Sequence, residues 1–580
     1  MPTAQGYSIP SLNQAGQHML RLLLSLLICL TVGLSAGAAS AAEPRVGSDE
    51  VTVARGLQFL DWLLIGLYAG ATIGLGWYYG RRQKSTQEYF TGSGAMNPLL
   101  IGVSLFATLL STISYLSIPG ETLGKGPVVM AGFFALPFIY AAIAYWLLPV
   151  YMKHRVTSAY ELLEDRLGTS IRLLGATMFI TLRLVWMSLL VYLAAKAMTV
   201  MLGVDDQWIP LIVLVTGFVA VIYTSLGGLQ AVVITDLLQT ILLFGGAILV
   251  LVMVTIDFGG FGWFPTHWRE NWDPQPLFPV NLKTRVSIVG TVVSGFLWYI
   301  CTSGGDQTTV QRFMATKDVT AARRALAMQL TVHTIVLITL WLVGFSLMSY
   351  FERHADALPA GMSLKDNADL VFPHYIAFHL PVGVSGLVVA AMFAAAMSSI
   401  DSGVNSITAV VMTDYLDRFG FRPQTERGHV RLAQCLAFGI GAIVVIGSAF
   451  VQHVPGNITA VTQKTTNLLM TPIFSLFVFA LFVPFARPVG VWIGAICGTI
   501  TAGATAFSGP IVQWLAEHRG IDPATFGTEW ATRVNQATGT LERYVVDPIS
   551  FQWIALLALA VNLITGSVVS LSVGRFDRKQ

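Results

Sequence analysis

Long apolar segments recur along the chain, and polar residues inside them are spaced as on one face of a helix. The most informative segment runs from about Val382 to Met412, long enough to cross a bilayer. Small or hydroxyl-bearing side chains that share one helical face are Ala395, Ser398, Ser399, Ser402, Asn405 and Ser406. Such a stripe should face protein or water rather than lipid. It indicates either close helix packing or a site for a small hard cation, which prefers oxygen ligands.

Asp401 lies within the same segment. A carboxylate at membrane depth is costly and by default marks a functional site, so Asp401 favours the cation site over simple packing. The helix around Asp401 is therefore the first candidate site.

The composition is that of a polytopic membrane protein rather than of soluble domains. Of 580 residues, 54% are hydrophobic and 11% are charged, and the mean hydropathy is +0.67. No basic tract suggests nucleic-acid binding, and no Cys/His spacing suggests zinc. The four cysteines lie in apolar segments and imply no disulfide framework: Cys29, Cys301, Cys435 and Cys497.

Hydropathy predicts thirteen spans after the N-terminal region, at about 58–80, 95–118, 127–151, 172–202, 208–225, 229–256, 286–306, 325–350, 382–412, 431–452, 463–485, 489–508 and 550–573. Starting outside, alternation places every basic cluster in the cytoplasm, as the positive-inside rule requires. These clusters include Arg81, Lys153, Arg312, Arg324, Arg418 and Arg575. We therefore predict a multi-pass protein of the inner plasma membrane with a cytoplasmic C-terminus.

The N-terminal region does not look like an ordinary first span. A short charged start at Met19–Arg21, an apolar core and the small residues Ala39–Ala41 are typical of a secretory signal peptide. We predict a signal peptide over 1–41, with 18 extra residues before Met19, and an external segment over 42–57. The alternative is an uncleaved extra span.

Two spans contain helix-breaking residues. The second holds serines with Pro119 and Gly120, and the seventh holds Gly295 and Ser303–Gly305. Broken helices free backbone groups, which is tolerable at membrane depth only around a cavity. The breaks lie five spans apart, which makes the two halves inverted, and this pattern indicates a secondary transporter.

Five strings resemble, in order, motifs of the sodium/solute symporter family: Glu88–Gly92, Thr157–Glu161, Gly227–Gln239, Asp306–Arg312 and Ala395–Ser406. The resemblance implies an all-α polytopic membrane protein with a LeuT-type core of inverted five-helix repeats. The repeats would be 86–258 and 259–486, preceded by an extra span over 58–85. Two C-terminal spans with an external loop would occupy 487–580.

The resemblance also implies sodium ligands. They are the carbonyls of Ala107, Leu110 and Ala395 and the hydroxyls of Ser398 and Ser399. Asp236 matches a second-sodium ligand of two-sodium members, although it could instead pair with an arginine or cap a helix. A second cation site would comprise Asp236, Asp401 and Ser402. The family usually has a small residue at the place of Asp401, so this chain has one acid more than the family pattern. The two acids could bind one cation, or one of them could stay protonated. The ion stoichiometry is therefore open.

The candidate substrate-binding residues are Ser114, Glu121, Lys196, Trp298, Asp306 and Gln307. Glu121 ends a Pro-x-Glu that resembles monocarboxylate, vitamin and iodide carriers. Lys196 resembles a lysine of animal sugar carriers, and Trp298 and Asp306-Gln307 resemble sugar-carrier strings. Lys196 could equally snorkel outward. For Arg183 and His333, packing or a helix-end role is favoured.

We therefore expect sodium-coupled symport of a small polar organic solute, monocarboxylate or sugar-like, into the cytoplasm. Sodium would be co-transported, no cofactor is expected, and the oligomeric state is undetermined. The alternative is a proton-coupled or sodium-independent carrier of the same fold. A membrane sensor or an enzyme is disfavoured because the sequence shows no signalling domain and no metal or nucleophile cluster.

Overall fold

The structure is a computed structural model that describes residues 57–577, except 82, 84, 93, 155, 271, 275–277, 280–281, 360–361, 366, 452–457 and 535–540. The predicted signal peptide over 1–41 and almost all of the external segment over 42–57 lie outside the described residues.

The first half of the described chain is helical. Its main helices are α1 (Phe59–Gly80), α2 (Thr86–Thr91), α3 (Pro98–Leu109), α4 (Thr112–Gly124), α5 (Pro127–His154), α6 (Glu161–Leu167), α7 (Thr169–Leu202) and α8 (Ile209–Phe258). α5 begins with a 3₁₀ segment, and a π-helical segment interrupts the α-helix that follows.

The second half continues with α9 (Ile288–Gly305), α10 (Gln307–Met314), α11 (Val319–Arg353), α12 (Ala368–Phe378), α13 (Val384–Leu416), α14 (Glu426–Ser448) and α15 (Ile458–Phe482). After α16 (Pro488–Ala506) and α17 (Ser508–Arg519) comes an antiparallel hairpin of β1 (Trp530–Val534) and β2 (Leu541–Val545), and then α18 (Ile554–Asp577). Short 3₁₀ helices are Asp206–Trp208, Phe261–Trp263, Ala355–Ala357, Pro523–Phe526 and Phe551–Trp553.

In the described residues, 11 helices are long and apolar enough to cross a membrane, or 12 with the bent pair α3 and α4. α8 has 50 residues, whereas about 20 suffice to cross a bilayer. It also contains Gly228 in a non-helical conformation, with φ 57° and ψ −167°. We therefore count α8 as two spans joined at Gly228, which gives thirteen, at the predicted positions.

α13 is the central helix, buried along almost its whole length. α1, α7, α8 and α14 pack around it, and α16 and α18 pack together at the side. The stripe of small side chains predicted on α13 allows this close approach of its neighbours.

α1 caps the N-terminal end of α13. The Asp61 carboxylate accepts hydrogen bonds from the backbone N–H groups of Gly383 and Gly386, both at 2.7 Å. The first N–H groups of a helix have no intrahelical partner, so a carboxylate stabilises them. A helix from outside the predicted repeats thus holds the helix that carries the candidate site.

Candidate functional site

The break between α3 and α4 releases backbone groups at membrane depth. α3 ends at Leu109, α4 begins at Thr112, and the two are bent by 68°. A helix end frees the carbonyls of its last turn, which here include Ala107, and the extended Leu110 belongs to neither helix. Ser111 then begins α4 as its N-cap residue. Two predicted sodium ligands therefore have carbonyls outside the helical hydrogen-bond ladder.

α13 runs alongside this break and contacts it on both sides. The Thr112 hydroxyl donates to the Met392 carbonyl at 3.2 Å, and the Thr108 and Ser402 hydroxyl oxygens are 3.2 Å apart. On α13, the residues between these two contacts include the three remaining predicted sodium ligands: Ala395, Ser398 and Ser399.

The Ser399 hydroxyl is the unsatisfied group at this junction. It is buried and has no hydrogen-bond partner, whereas the Ser398 hydroxyl donates to Asp236 Oδ1 at 2.6 Å. Buried hydroxyls are normally hydrogen-bonded, and an orphan indicates a site for an ion or water. The orphan lies on the segment of α13 beside the freed carbonyls.

The C-terminal part of the stripe is used for packing. Gln311 on α10 accepts from the Ser406 hydroxyl and donates to Asn405 Oδ1, both at 2.9 Å. These two residues therefore make packing contacts, as the packing interpretation predicts, and the cation interpretation stays a prediction for the N-terminal part of the stripe.

The residues of the predicted second cation site adjoin those of the first, since Ser398 donates to Asp236, and Arg312 fills part of this second site. Its Nη2 donates to Ser402 at 2.6 Å and to Asp236 Oδ2 at 3.4 Å. Its Nε donates to Ser104 at 2.8 Å, and Ser104 donates to Asp236 at 2.5 Å. The basic pattern counts Arg312 among the cytoplasmic clusters, and the structure shows that this residue is buried, at only 1% exposed.

Asp401 lies in the same cluster but has neutral hydrogen-bond partners. Its carboxylate accepts from the Tyr223 hydroxyl and, at 3.0 Å, from the Ser402 hydroxyl. The structure thus brings Asp236, Asp401 and Ser402 together and adds one resident cation, the Arg312 guanidinium.

The second helix break, between α9 and α10, is closed by the chain's own side chains. Asp306 accepts from the backbone N–H of Thr308 at 3.0 Å and forms a buried ion pair with Arg183 of α7. Gln307 accepts from the backbone N–H of Ala159 and donates to the Thr157 carbonyl, both at 2.7 Å. Two predicted substrate-binding residues therefore bind protein groups, and Arg183 has a specific partner.

A cavity of about 230 Å³ lies among α4, α5, α9 and α11, closed on one side by the segment before α18. Glu121 and Trp298 line it, together with Tyr299 and His333. Arg285 forms a bidentate ion pair with Glu121, with distances of 2.5 and 2.8 Å. The lining is otherwise mostly apolar and aromatic, as in sites for small organic molecules.

The other four predicted substrate residues do not line this cavity. Ser114 lies in the first turn of α4, with its hydroxyl 3.4 Å from that of Ser111. Lys196 is half-buried in the outer half of α7. Asp306 and Gln307 lie at the second break. The structure therefore groups only Glu121 and Trp298.

Sequence reasoning missed the roles of Arg312, Tyr223 and His333. Each is a polar residue within a largely apolar segment. This pattern alone does not show which residue of another helix the polar group contacts. For Arg312, its place at the end of the Asp-Gln motif was the available signal.

The comparisons with known proteins agree with this architecture. The Sodium:solute symporter family matches residues 89–498. A sodium/sialic acid symporter of Proteus mirabilis (strain HI4320) is 28% identical over 464 residues, covering 77% of this chain and 90% of that protein. The sodium-coupled monocarboxylate transporter 1 of Homo sapiens is 26% identical over 553 residues, covering 90% and 88%.

A solved structure is also similar: a substrate-bound, outward-open Na⁺-coupled sialic acid symporter. The TM-score is 0.69 at 24% identity, covering 88% of this chain and 98% of that one. This likeness confirms the predicted LeuT-type fold. The family match extends over most of the chain, from the motif at Tyr89 to α16. The chain therefore belongs to the sodium:solute symporter family and is a sodium-coupled solute symporter.

Proposed function

We propose that sodium binds where the α3–α4 break meets α13. Its ligands would be the carbonyls of Ala107, Leu110 and Ala395 and the hydroxyls of Ser398 and Ser399. The observation that carries this proposal is the buried, unpartnered Ser399 hydroxyl beside a broken helix. Hard cations take oxygen ligands, and this junction offers several neutral ones.

The solute is proposed to bind in the cavity lined by Glu121, Trp298, Tyr299 and His333. Its aromatic side chains can pack against a small carbon skeleton, and its few polar groups can hydrogen-bond to carboxylate or hydroxyl oxygens. A monocarboxylate or a sugar-like molecule has this chemistry. Relatives named for sialic acid and monocarboxylate transport support this solute class.

Sodium would drive inward transport by linking the broken helix to α13. Occupying the junction joins two helices that otherwise leave polar groups unpaired, and so favours one arrangement of the two helix bundles. A tenfold sodium ratio provides about 1.4 kcal/mol and a potential of 100 mV adds about 2.3 kcal/mol per ion. One ion thus supports a solute ratio of several hundredfold.

The orientation follows from the basic residues. Arg81, Lys153 and Arg418 lie at helix ends that alternation assigns to the cytoplasm. In this orientation the C-terminus is cytoplasmic and the hairpin of β1 and β2 is external. Accessibility of single introduced cysteines to an impermeant reagent tests this arrangement.

The decisive experiment is uptake into proteoliposomes under an imposed sodium gradient. The solute panel comprises monocarboxylates, sugars and amino acids. Ser399→Ala should weaken the apparent sodium affinity tenfold or more, on the scale of about 1–3 kcal/mol for a lost buried polar partner.

The matched control is Ser346→Ala, since the Ser346 hydroxyl is also buried but donates to the Val343 carbonyl of its own helix at 2.9 Å. Its sodium dependence should equal that of wild type. Equal sodium dependence in wild type and Ser399→Ala would refute the proposed site.

A further inference from the structure

A group of buried polar atoms with unused hydrogen-bonding capacity lies next to Asp401. Gln239 of α8 is fully buried, and neither its amide oxygen nor its amide nitrogen has a partner. The Tyr68 hydroxyl of α1 is likewise buried without a partner. Several unsatisfied groups near a buried carboxylate indicate a site that is completed by something other than protein.

Tyr68 interacts with each of the other groups, which makes them one cluster. Its hydroxyl lies beside Gln239, although no hydrogen bond of normal geometry joins them, and within electrostatic range of Asp401 and Asp236. Tyr223, which donates to Asp401, also interacts with Tyr68. The three helices concerned, α1, α8 and α13, pack against one another.

The charges of this cluster do not balance. Asp236 and Asp401 are fully buried carboxylates, and Arg312 is the one basic side chain that contacts the cluster among the described residues. Arg312 forms its ion pair with Asp236, whereas Asp401 accepts only from hydroxyls. With both carboxylates ionised, one buried negative charge is left over, and leaving a buried charge unpaired is strongly destabilising.

We propose that Asp401, Tyr68, Tyr223 and Gln239 form a second sodium site, which rests on the proposed sodium-coupled function. The site takes its ligands from α1, α8 and α13, whereas Arg312 contacts Asp236 and Ser402. One carboxylate with neutral oxygen donors matches a monovalent hard cation, whereas a calcium site would need more ligands and more charge. The added ion makes the cluster neutral.

This site includes a helix outside the predicted repeats. α1 supplies Tyr68 to the site and Asp61 to the N-terminal end of α13. Sodium at Asp401 would therefore tie α1 and α8 to the helix that also carries the first sodium site.

The test measures ²²Na⁺ binding to the purified full-length protein in detergent, with choline chloride as the balancing salt. Wild type should bind two sodium ions per chain, and Asp401→Asn should bind one with the affinity of the remaining site unchanged. Ser399→Ala should weaken the other site and leave the Asp401 site intact.

Tyr68→Phe keeps the test valid if Asp401→Asn does not fold. It removes one unpartnered oxygen and should weaken one of the two sites about tenfold. The control is Tyr89→Phe, since the buried Tyr89 hydroxyl instead donates to the Ser225 carbonyl at 3.1 Å. That variant should bind sodium as wild type does.

Equal binding stoichiometry in wild type and Asp401→Asn, with unchanged affinities in Tyr68→Phe, would overturn the second site while leaving the first in place. A proton or a water molecule at Asp401 would give this result. In contrast, a wild-type protein that binds no sodium at all would refute the proposed function itself.

Discussion

The two helix breaks occur at similar places in the predicted repeats, but they are completed differently. At the α3–α4 break, the carbonyls of Ala107 and Leu110 lie where the helical hydrogen-bond ladder ends, and the buried Ser399 hydroxyl has no hydrogen-bond partner. At the α9–α10 break, Asp306 is held by Arg183 and Gln307 binds two backbone groups. A broken helix is therefore a candidate ion site only where the chain leaves the freed groups unsatisfied.

The cap residues explain much of this difference. Ser111 and Asp306 both accept a hydrogen bond from a backbone N–H of the following helix. Ser111 does so as a neutral hydroxyl, whereas the charge of Asp306 requires a counter-ion, which Arg183 supplies. The second break is thus closed by contacts within the protein. Substitutions there should reduce the stability of the fold more than they change ion binding.

The largest effect on stability is expected at the α9–α10 break. Asp306→Ala leaves the Arg183 guanidinium buried without its partner, at a cost of about 3–5 kcal/mol. Ser111→Ala at the other break should cost only about 0.5–2 kcal/mol, as for a lost helix cap. Thermal unfolding in detergent measures both.

Combining Asp306→Ala with Arg183→Met should recover part of the lost stability, since no unpaired charge remains. Loss of transport in Asp306→Ala at an unchanged melting temperature would mean that Asp306 contacts the solute. Both breaks would then hold transported ligands, which contradicts the distinction made here.

Gln307→Leu should produce the next largest effect. It leaves the Ala159 N–H and the Thr157 carbonyl unpaired, at about 1–3 kcal/mol for a buried group. Sodium affinity should not change, because Gln307 is not at the first break.

The matched control is Gln329→Leu. Gln329 is also a buried glutamine, but both its amide atoms lack partners, so the substitution should not destabilise the protein. A loss of sodium affinity in Gln307→Leu, without a loss of stability, would contradict the distinction between the breaks.

A smaller, pH-dependent effect is expected where the half-helix after the first break meets α12. Asp369 approaches Gly120 so closely that a Cβ there would lie 2.6 Å from Asp369 Oδ1. Burial, with the charge of Glu121 adding to it, raises the pKa of Asp369 from 3.8 to about 7. The folded protein therefore holds this proton more tightly than the unfolded chain, and stability should fall as pH rises from about 4 to 7.

Asp369→Asn removes this titration. The variant should melt above wild type by on the order of 1–4 °C at pH 8, and the difference should disappear near pH 4. Melting curves across this pH range test it, and a constant difference at every pH would exclude Asp369 as the cause.

The smallest effect is expected for Lys196→Met. Lys196 is half-buried on α7 and does not line the cavity. Uptake should stay within about twofold of wild type, as for a lysine that snorkels. Selective loss of carboxylate uptake would instead place an anionic solute beside Lys196, outside the cavity proposed here.

The sequence by itself determined the spans, both helix breaks and the polar stripe of α13. These features depend on local properties: apolar runs of bilayer length, glycine and proline inside them, and helical spacing. Even the division of α8 was predictable, because Gly227-Gly228 interrupts the apolar run at its middle. The family motifs also placed the proposed ligands of the first sodium site on two helices that the structure brings together.

Only the tertiary structure decided which partner each buried charge has. Arg312 meets Asp236, 76 residues away, and Ser104, 208 residues away. Asp306 meets Arg183 across 123 residues, and Glu121 meets Arg285 across 164. A buried charge must be paired, but its sequence neighbours do not specify the partner, because that depends on which helices pack side by side. For this reason the sequence located Asp236 and Asp401. The packing of α1, α8, α10 and α13 decided that Asp236 has a counter-ion, Arg312, within the protein.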